Sequence, residues 1–205
     1  FTHLVAFDGG SGNDMLFGAD SAANYTISGS GSGNINGTSA FTFAGLENLN
    51  AGLGSDTLTG QDATSTWTFT DTTTYNNGAV NVNLIGFEVY QGGTVADTFD
   101  LTGDGFLGSV NGTMNGGAGN DTFAFHDFAQ LAGTIDGETG TDTLTYADYD
   151  ISVVVALTGS SAEGMSGVES SVPNGFSNVD VLVGSINGDQ LTGLDAASTW
   201  ALGAT

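Results

Sequence analysis

The chain has 205 residues, with 23 Asp and Glu, no Lys or Arg and two His, for a formal charge of −23. Without basic residues it cannot displace counterions from a phosphate backbone, which excludes nucleic-acid binding, and it has no basic patch for anionic lipid. An Arg clamp, a Lys nucleophile, a disulfide and a thiolate site are excluded too, since Lys, Arg and Cys are all absent.

Hydrophobic residues are 39% and aromatic residues 10%, enough for a core despite the charge. Gly is 34 residues and Pro only 1, a balance that suits many positive-φ turns with strands between them. No apolar run reaches the ~18 residues of a membrane span. The chain starts at Phe1 rather than Met, so the sequence reads as a processed product or an excerpt.

In chain order, large apolar residues recur every nine positions. They stand at Phe7, Leu16 and Tyr25, then at Leu49, Leu58 and Trp67. The rhythm returns at Ile135, Leu144 and Val153 and again at Leu182, Leu191 and Trp200. Around them the alternation of D-T-L-T and T-W-T-F-T is that of strands with one buried face. Short strands of three to six residues between Gly/Asn/Asp turns are expected, with no helix. Such strands persist only when stacked on copies of themselves.

A longer repeat is superimposed. Six Asp residues follow Gly-rich loops, at Asp14, Asp56, Asp97, Asp121, Asp142 and Asp189, with intervals of 42, 41, 24, 21 and 47. The unit is read as about 21 residues, sometimes visible only every second unit, with an insertion at about 159–175. Eleven residues beyond the anchor stand Tyr25, Trp67 and Trp200; nine before it stand Glu47, Glu88 and Asp180; thirteen before it stand Phe1, Phe43, Leu84 and Phe176. One repeat domain over 1–205 is expected: an all-β parallel β-solenoid of roughly 21 residues per coil, ten coils in all. The alternative is a β-sandwich, which would also place turns every 8–12 residues.

Two loops read G-G-S-G-N-D, from Gly9 to Asp14, and G-G-A-G-N-D, from Gly116 to Asp121, each followed by x-apolar. Here the sequence resembles the RTX nonapeptide family G-G-x-G-x-D-x-U-x, the calcium β-roll of secreted bacterial proteins. The resemblance implies Ca²⁺, with Asp14 and Asp121 as side-chain ligands and carbonyls of Gly9, Ser11, Gly12, Gly116, Ala118 and Gly119 completing the shell. Calcium takes six to eight hard oxygens, and Gly lets carbonyls turn toward it. The loops ending at Asp56, Asp97, Asp142 and Asp189 keep the Asp and lose Gly. The two strict loops are isolated rather than tandem, 107 residues apart. Turn capping by Asp explains the degenerate loops without metal.

The stretch F-A-G-L-E-N-L-N-A-G-L-G-S-D-T-L-T-G, Phe43 to Gly60, also looks like repeats of large bacterial surface and adhesin-like proteins. The resemblance implies an extracellular structural role. His126-Asp127 offers no dyad, because neighbours on a strand point to opposite faces. Carboxylate pairs for glycoside hydrolysis have no basic residue to hold an anionic polymer. Glu47, Glu88 and Asp180 read as an exposed edge or a second cation ladder, Trp67, Trp200 and Tyr25 as core. Thr66, Thr68 and Thr70 form a regular triplet that does not recur. Neither end carries a polar cap, so flanking repeats or copies of the chain are expected to cover the ends, the second giving a filament. The expected protein is non-enzymatic, extracellular and calcium-stabilised, part of a surface layer, adhesin, matrix or filament. The alternative is an accessory calcium-binding module of a secreted enzyme or toxin.

Overall fold

A computed structural model describes residues 6–29, 31–36, 41–102 and 110–195. Phe1, His3, Trp200 and Thr205 lie outside the described residues. All regular structure in the described residues is β, in strands of two to eight residues. They form a twelve-stranded sheet, a nine-stranded sheet and a small pair. The small pair joins Ala118–Gly119 to Thr139–Gly140.

The nine-residue rhythm is the step from one large sheet to the other. Leu49 lies in the nine-stranded sheet, Leu58 in the twelve-stranded sheet and Trp67 in the nine-stranded sheet again. All three side chains are fully buried. Alternation within each short strand sends one residue inward and its neighbours outward, as in Thr57–Thr59, where only Leu58 is buried.

Neighbouring strands outside the reversals pair in parallel and in register. Phe99 lies between Trp67 and Phe123, and Leu58 between Tyr25 and Tyr90. Like residues therefore stack on like. The rings of Trp67 and Phe99 are stacked 5.6 Å apart with nearly parallel planes, and those of Phe99 and Phe123 are 4.9 Å apart. Each such buried ring contributes about 1.5–3 kcal/mol of hydrophobic stabilisation.

The long intervals between Asp anchors have a different origin from the one the spacing suggests. Each contains a three-stranded antiparallel meander rather than a second parallel unit. The first comprises Asn24–Gly29, Ser32–Ile35 and Thr42–Ala44. The second comprises Thr66–Phe69, Thr73–Asn76 and Asn81–Ile85. The third comprises Val154–Ser161, Gly164–Glu169 and Val172–Val179. The order in the larger sheet gives the reason: Ala6–Asp8, Thr42–Ala44, Ser32–Ile35, Asn24–Gly29, Thr57–Thr59. The chain strides past two strand positions, then reverses to fill them. Local turns suffice for antiparallel neighbours, whereas each parallel neighbour needs a crossover. The first and third meanders belong to the twelve-stranded sheet and the second to the nine-stranded sheet, so successive blocks face opposite ways.

Candidate functional site

Each anchor Asp occupies the residue just before a strand. There the chain has turned, and the amide has no regular ladder partner. A carboxylate one strand further along supplies the acceptor. At the starts of the nine-stranded sheet, Ser65 N–H donates to Asp97 Oδ1 at 2.9 Å and Asp97 N–H to Asp121 Oδ1 at 2.7 Å. Asp121 N–H donates to Asp142 Oδ1 at 2.8 Å and Asp142 N–H to Asp180 Oδ2 at 2.9 Å. Nearer the N-terminus, Asp14 N–H donates to Glu47 Oε2 at 2.8 Å. A second column follows the starts of the twelve-stranded sheet. Ala23 N–H donates to Asp56 Oδ1, Asp56 N–H to Glu88 Oε2 and Val153 N–H to Asp189 Oδ1, each at 2.8 Å.

The six Asp anchors thus do not share one corner. Asp14, Asp97, Asp121 and Asp142 precede strands of the nine-stranded sheet; Asp56 and Asp189 precede strands of the other. Glu47, Glu88 and Asp180, which sequence phase placed on a separate edge, perform the same capping. They too divide between the sheets. Losing such a cap leaves a buried amide unpaired, at about 1–3 kcal/mol.

The first Gly of each loop has a steric reason. The carboxylate five residues later folds over its Cα. A Cβ on Gly116 would lie 2.5 Å from Asp121 Oδ2, one on Gly92 2.8 Å from Asp97 Oδ2, and one on Gly137 2.6 Å from Asp142 Oδ2. The loop before Asp56 carries the buried Ala51 at this place instead.

The outer oxygens differ in their partners. Asp97 Oδ2 accepts Gly93 N–H at 2.8 Å, and Asp97 Oδ1 also accepts the Ser65 hydroxyl. Asp14, Asp56, Asp121 and Asp142 each keep a buried Oδ2 with no hydrogen-bond partner. Burial pushes the Asp121 carboxyl up to about 7, with the Asp142 and Asp97 charges adding to it. Burial likewise raises Asp142 to about 6, and raises Asp56 and Asp97.

Those unpartnered oxygens suit a cation, but the surrounding donors are largely committed. Asp121 Oδ1 holds an amide. Ala118 and Gly119 are engaged in the small strand pair, and Gly117 O accepts Thr139 N–H. Among the described residues no three His, Asp or Glu side chains gather as a metal-binding group. The strict loop around Asp121 is a capped turn whose outer carboxylate oxygen stays without a hydrogen-bond partner. The loop around Asp14 is more open, with Ser11 and Gly12 exposed and Gly9 half-buried.

Elsewhere, His126 does not engage Asp127. Its Nε2 lies 2.8 Å from Asp100 Oδ1 and its Nδ1 3.6 Å from Asp148 Oδ2. Asp127 instead accepts the Asp150 amide. Tyr25 and Trp67 are core residues. The Thr triplet contributes one cross-strand column, with Thr66, Thr98, Thr122 and Thr143 in register. Sequence reading missed Glu169, a buried carboxylate that accepts the Ser170 hydroxyl and both the amide and hydroxyl of Ser171. Burial pushes its carboxyl up, but these donors outweigh that and hold it below the usual range. The adjacent Ser170-Ser171 pair was the available signal.

Fold and site together define an all-β repeat-like protein of stacked parallel strands with acid-capped strand starts. No family model matches the chain, and no curated protein is similar to it.

Proposed function

We propose that the chain is an extracellular structural repeat, a parallel β-solenoid interrupted by meanders, which works by forming a stiff, self-supporting stack in a surface layer, matrix or filament. The observation that carries this reading is the unbroken ladder from Ser65 through Asp97, Asp121 and Asp142 to Asp180, running beside the stacked rings of Trp67, Phe99 and Phe123. It is a supporting device repeated along an axis, with each strand start held by the next. The absence of Lys and Arg leaves no trypsin-type cleavage site, which suits exposure to proteases.

Twelve strands spaced about 4.8 Å apart give a stack roughly 55 Å long. Small-angle scattering on the monomer tests this shape. The reading expects the skewed pair-distance distribution of a rod about 55 Å long and about 25 Å wide, since the radius of gyration alone would lie close to the roughly 17 Å of a compact chain. A symmetric, globular distribution would overturn it.

A second reading keeps calcium at the two strict loops. It is favoured by the buried, unpartnered Oδ2 atoms of Asp14 and Asp121. When bound, the ion would supply counter-charge to these carboxylates, with Asp14 and Asp121 as its side-chain donors. Thermal melts of chelated protein, repeated with Ca²⁺ and with Mg²⁺, separate the readings. A rise in midpoint specific to Ca²⁺ and abolished by Asp14→Asn with Asp121→Asn supports calcium. An unchanged β spectrum and midpoint support capping alone.

A further inference from the structure

The outer face of the twelve-stranded sheet is uneven where the third meander joins the parallel strands. Pairing between Gly164–Glu169 and Val172–Val179 shifts register on either side of Gly167. Within Val172–Val179 the alternation slips, with Pro173 and Asn174 both exposed and Gly175 and Phe176 both buried. Gly175 takes φ +96°, a conformation that suits glycine. Such irregularities bend a strand away from the plane of its sheet. Beside them lies a groove of about 340 Å³, at the lower end of the sizes of small-molecule sites.

The chemistry of this groove is one-sided. Asn115, Asp136, Asn174 and Ser177 line it, and their donors are committed to the protein. Asn115 Nδ2 donates to Gln91 Oε1 at 2.9 Å, and Asn174 Nδ2 to the Ala132 carbonyl. Ser177 Oγ donates to the Ile135 carbonyl at 3.4 Å. Asp136 Oδ1 accepts Glu138 N–H at 3.0 Å and Asn178 Nδ2 at 2.7 Å. What these side chains have left is oxygen: Oδ1 of Asn115 and of Asn174, the Ser177 lone pairs and Asp136 Oδ2. Among the described residues no donor reaches any of them. The Thr113 and Thr134 hydroxyls, 3.4 Å apart, satisfy each other. Thr158 and Val168 complete the lining, both exposed, and Val168 at 37% exposure is the one large apolar side chain open to a ligand there.

We propose that this groove binds a saccharide unit that carries a free amino group. A row of acceptors with one carboxylate calls for a ligand that donates. Sugar hydroxyls donate, and an ammonium group donates three times and supplies the counter-charge for Asp136. The chain has no Lys or Arg to hold an anionic sugar, while its charge of −23 draws in a cationic one. A single carboxylate falls short of the oxygen shell of a bare Ca²⁺ ion, and among the described residues no three acidic or His side chains gather as a metal-binding group. One exposed Val is too little apolar surface for a lipid or an aromatic ligand, but it can lie under the C–H face of a sugar ring. The site is independent of the stacked-repeat reading and adds to it a means of holding a glycan.

Calorimetric titration of the full chain with a glucosamine oligomer, its N-acetylated form and a neutral glucose oligomer tests the assignment. The expected result is binding of the glucosamine oligomer with its amines protonated, and much weaker binding of the other two. Asp136→Asn keeps an acceptor for Glu138 and Asn178 and turns the outer oxygen into a donor. It should weaken binding by about tenfold, the loss expected for a hydrogen bond to a charged group. Asp71→Asn removes the same charge from an exposed turn of the second meander and should leave binding unchanged. Thr158→Tyr, on the exposed wall, fills the groove and should abolish binding. Circular dichroism and thermal midpoints establish that each variant is folded. Equal weakening by Asp136→Asn and Asp71→Asn, or binding that survives Thr158→Tyr, would mean that the cation coats an acidic surface at large, and this overturns the site. Equal binding of the neutral and amino oligomers overturns the role of the amine. No binding by the native chain overturns the proposal outright and leaves the stack, read by scattering, untouched.

Discussion

The loops Gly9–Asp14 and Gly116–Asp121 differ at one residue, Ser11 against Ala118, yet they sit in unlike surroundings. Gly116 and Gly117 are buried and Asp121 is 1% exposed, with its carboxylate on the amide of Asp97. Gly10 is exposed and Asp14 half-buried, and among the described residues no earlier strand start donates to Asp14. The second loop has strands stacked on both sides, while the first lies at an end strand of its sheet. The hexapeptide therefore specifies a turn, and the neighbouring strands decide whether its carboxylate becomes a structural cap.

Substitutions at matched places should separate the two copies most strongly through the core. Phe123 and Leu16 are the inward residues two positions after each Asp. Phe123 is fully buried against Phe99, and Leu16 is half-buried. Phe123→Ala should cost about 3–5 kcal/mol. Leu16→Ala should fall at or below the roughly 2 kcal/mol lower end of such truncations. Urea unfolding of both variants checks this, and equal losses would mean that the ends are packed as well as the middle.

The second Gly of each loop gives the next contrast. Gly10 has φ +85° and nothing within 4 Å of an added Cβ; Gly117 has φ +100° and would place its Cβ 2.2 Å from Gly93 O. Gly10→Ala should cost only the conformational penalty, about 1–2 kcal/mol. Gly117→Ala adds a backbone clash worth about 1–3 kcal/mol more. Thermal midpoints that fall equally would remove the neighbouring strand as the cause.

Much of this could be read from the residues. The alternation around Leu58 and Trp67 gave short strands with one buried face, and the nine-residue rhythm found the inward positions. The meanders were not legible, because Tyr25, Phe43, Trp67 and Leu84 carry the same apolar pattern whether a strand runs parallel or reverses. Only the antiparallel pairings, around Tyr25 and Phe43 in the first meander and around Trp67 and Leu84 in the second, distinguish them. The Asp positions were found, but their capping of strand-start amides was not. An Asp after a Gly-rich loop reads alike as a calcium ligand and as a cap, and the capping amide of Asp97 lies 24 residues away, beyond the reach of any local pattern. Phase alignment also treated all six anchors as one corner, since nothing local records which sheet a strand joins.

Removing the caps themselves should give a smaller contrast. Asp121→Ala leaves the buried Asp97 amide without its acceptor, at about 1–3 kcal/mol. Asp14→Ala should cost less, because among the described residues no strand-start amide donates to its carboxylate. Asp121→Asn keeps an acceptor oxygen, so it should recover most of the loss. Failure of Asn to rescue, with Ca²⁺ present, would favour the metal reading over capping.

The pH dependence separates the loops by charge rather than by packing, and its sign is fixed by the direction of the shift. Asp121 in the folded chain titrates near 7 and Asp142 near 6, against an ordinary carboxyl value of 3.8. Between those values the folded state retains protons that the unfolded chain has released, so stability falls as pH rises. The contribution is complete below the ordinary carboxyl range and lost once pH passes about 7. Asp121→Asn removes the titrating group while preserving an acceptor for the amide, so it should flatten the upper part of this slope and leave the lower part, owed to Asp142. Asp14→Asn, made in the otherwise matching loop, should leave the Asp121 slope in place. Urea midpoints measured across the acid-to-neutral range read all three chains. A wild-type midpoint that rises toward neutral pH, or a slope unchanged in Asp121→Asn, would show that the buried carboxyl of the second loop is not held protonated by its neighbours, and the distinction between the two loops would then rest on packing alone.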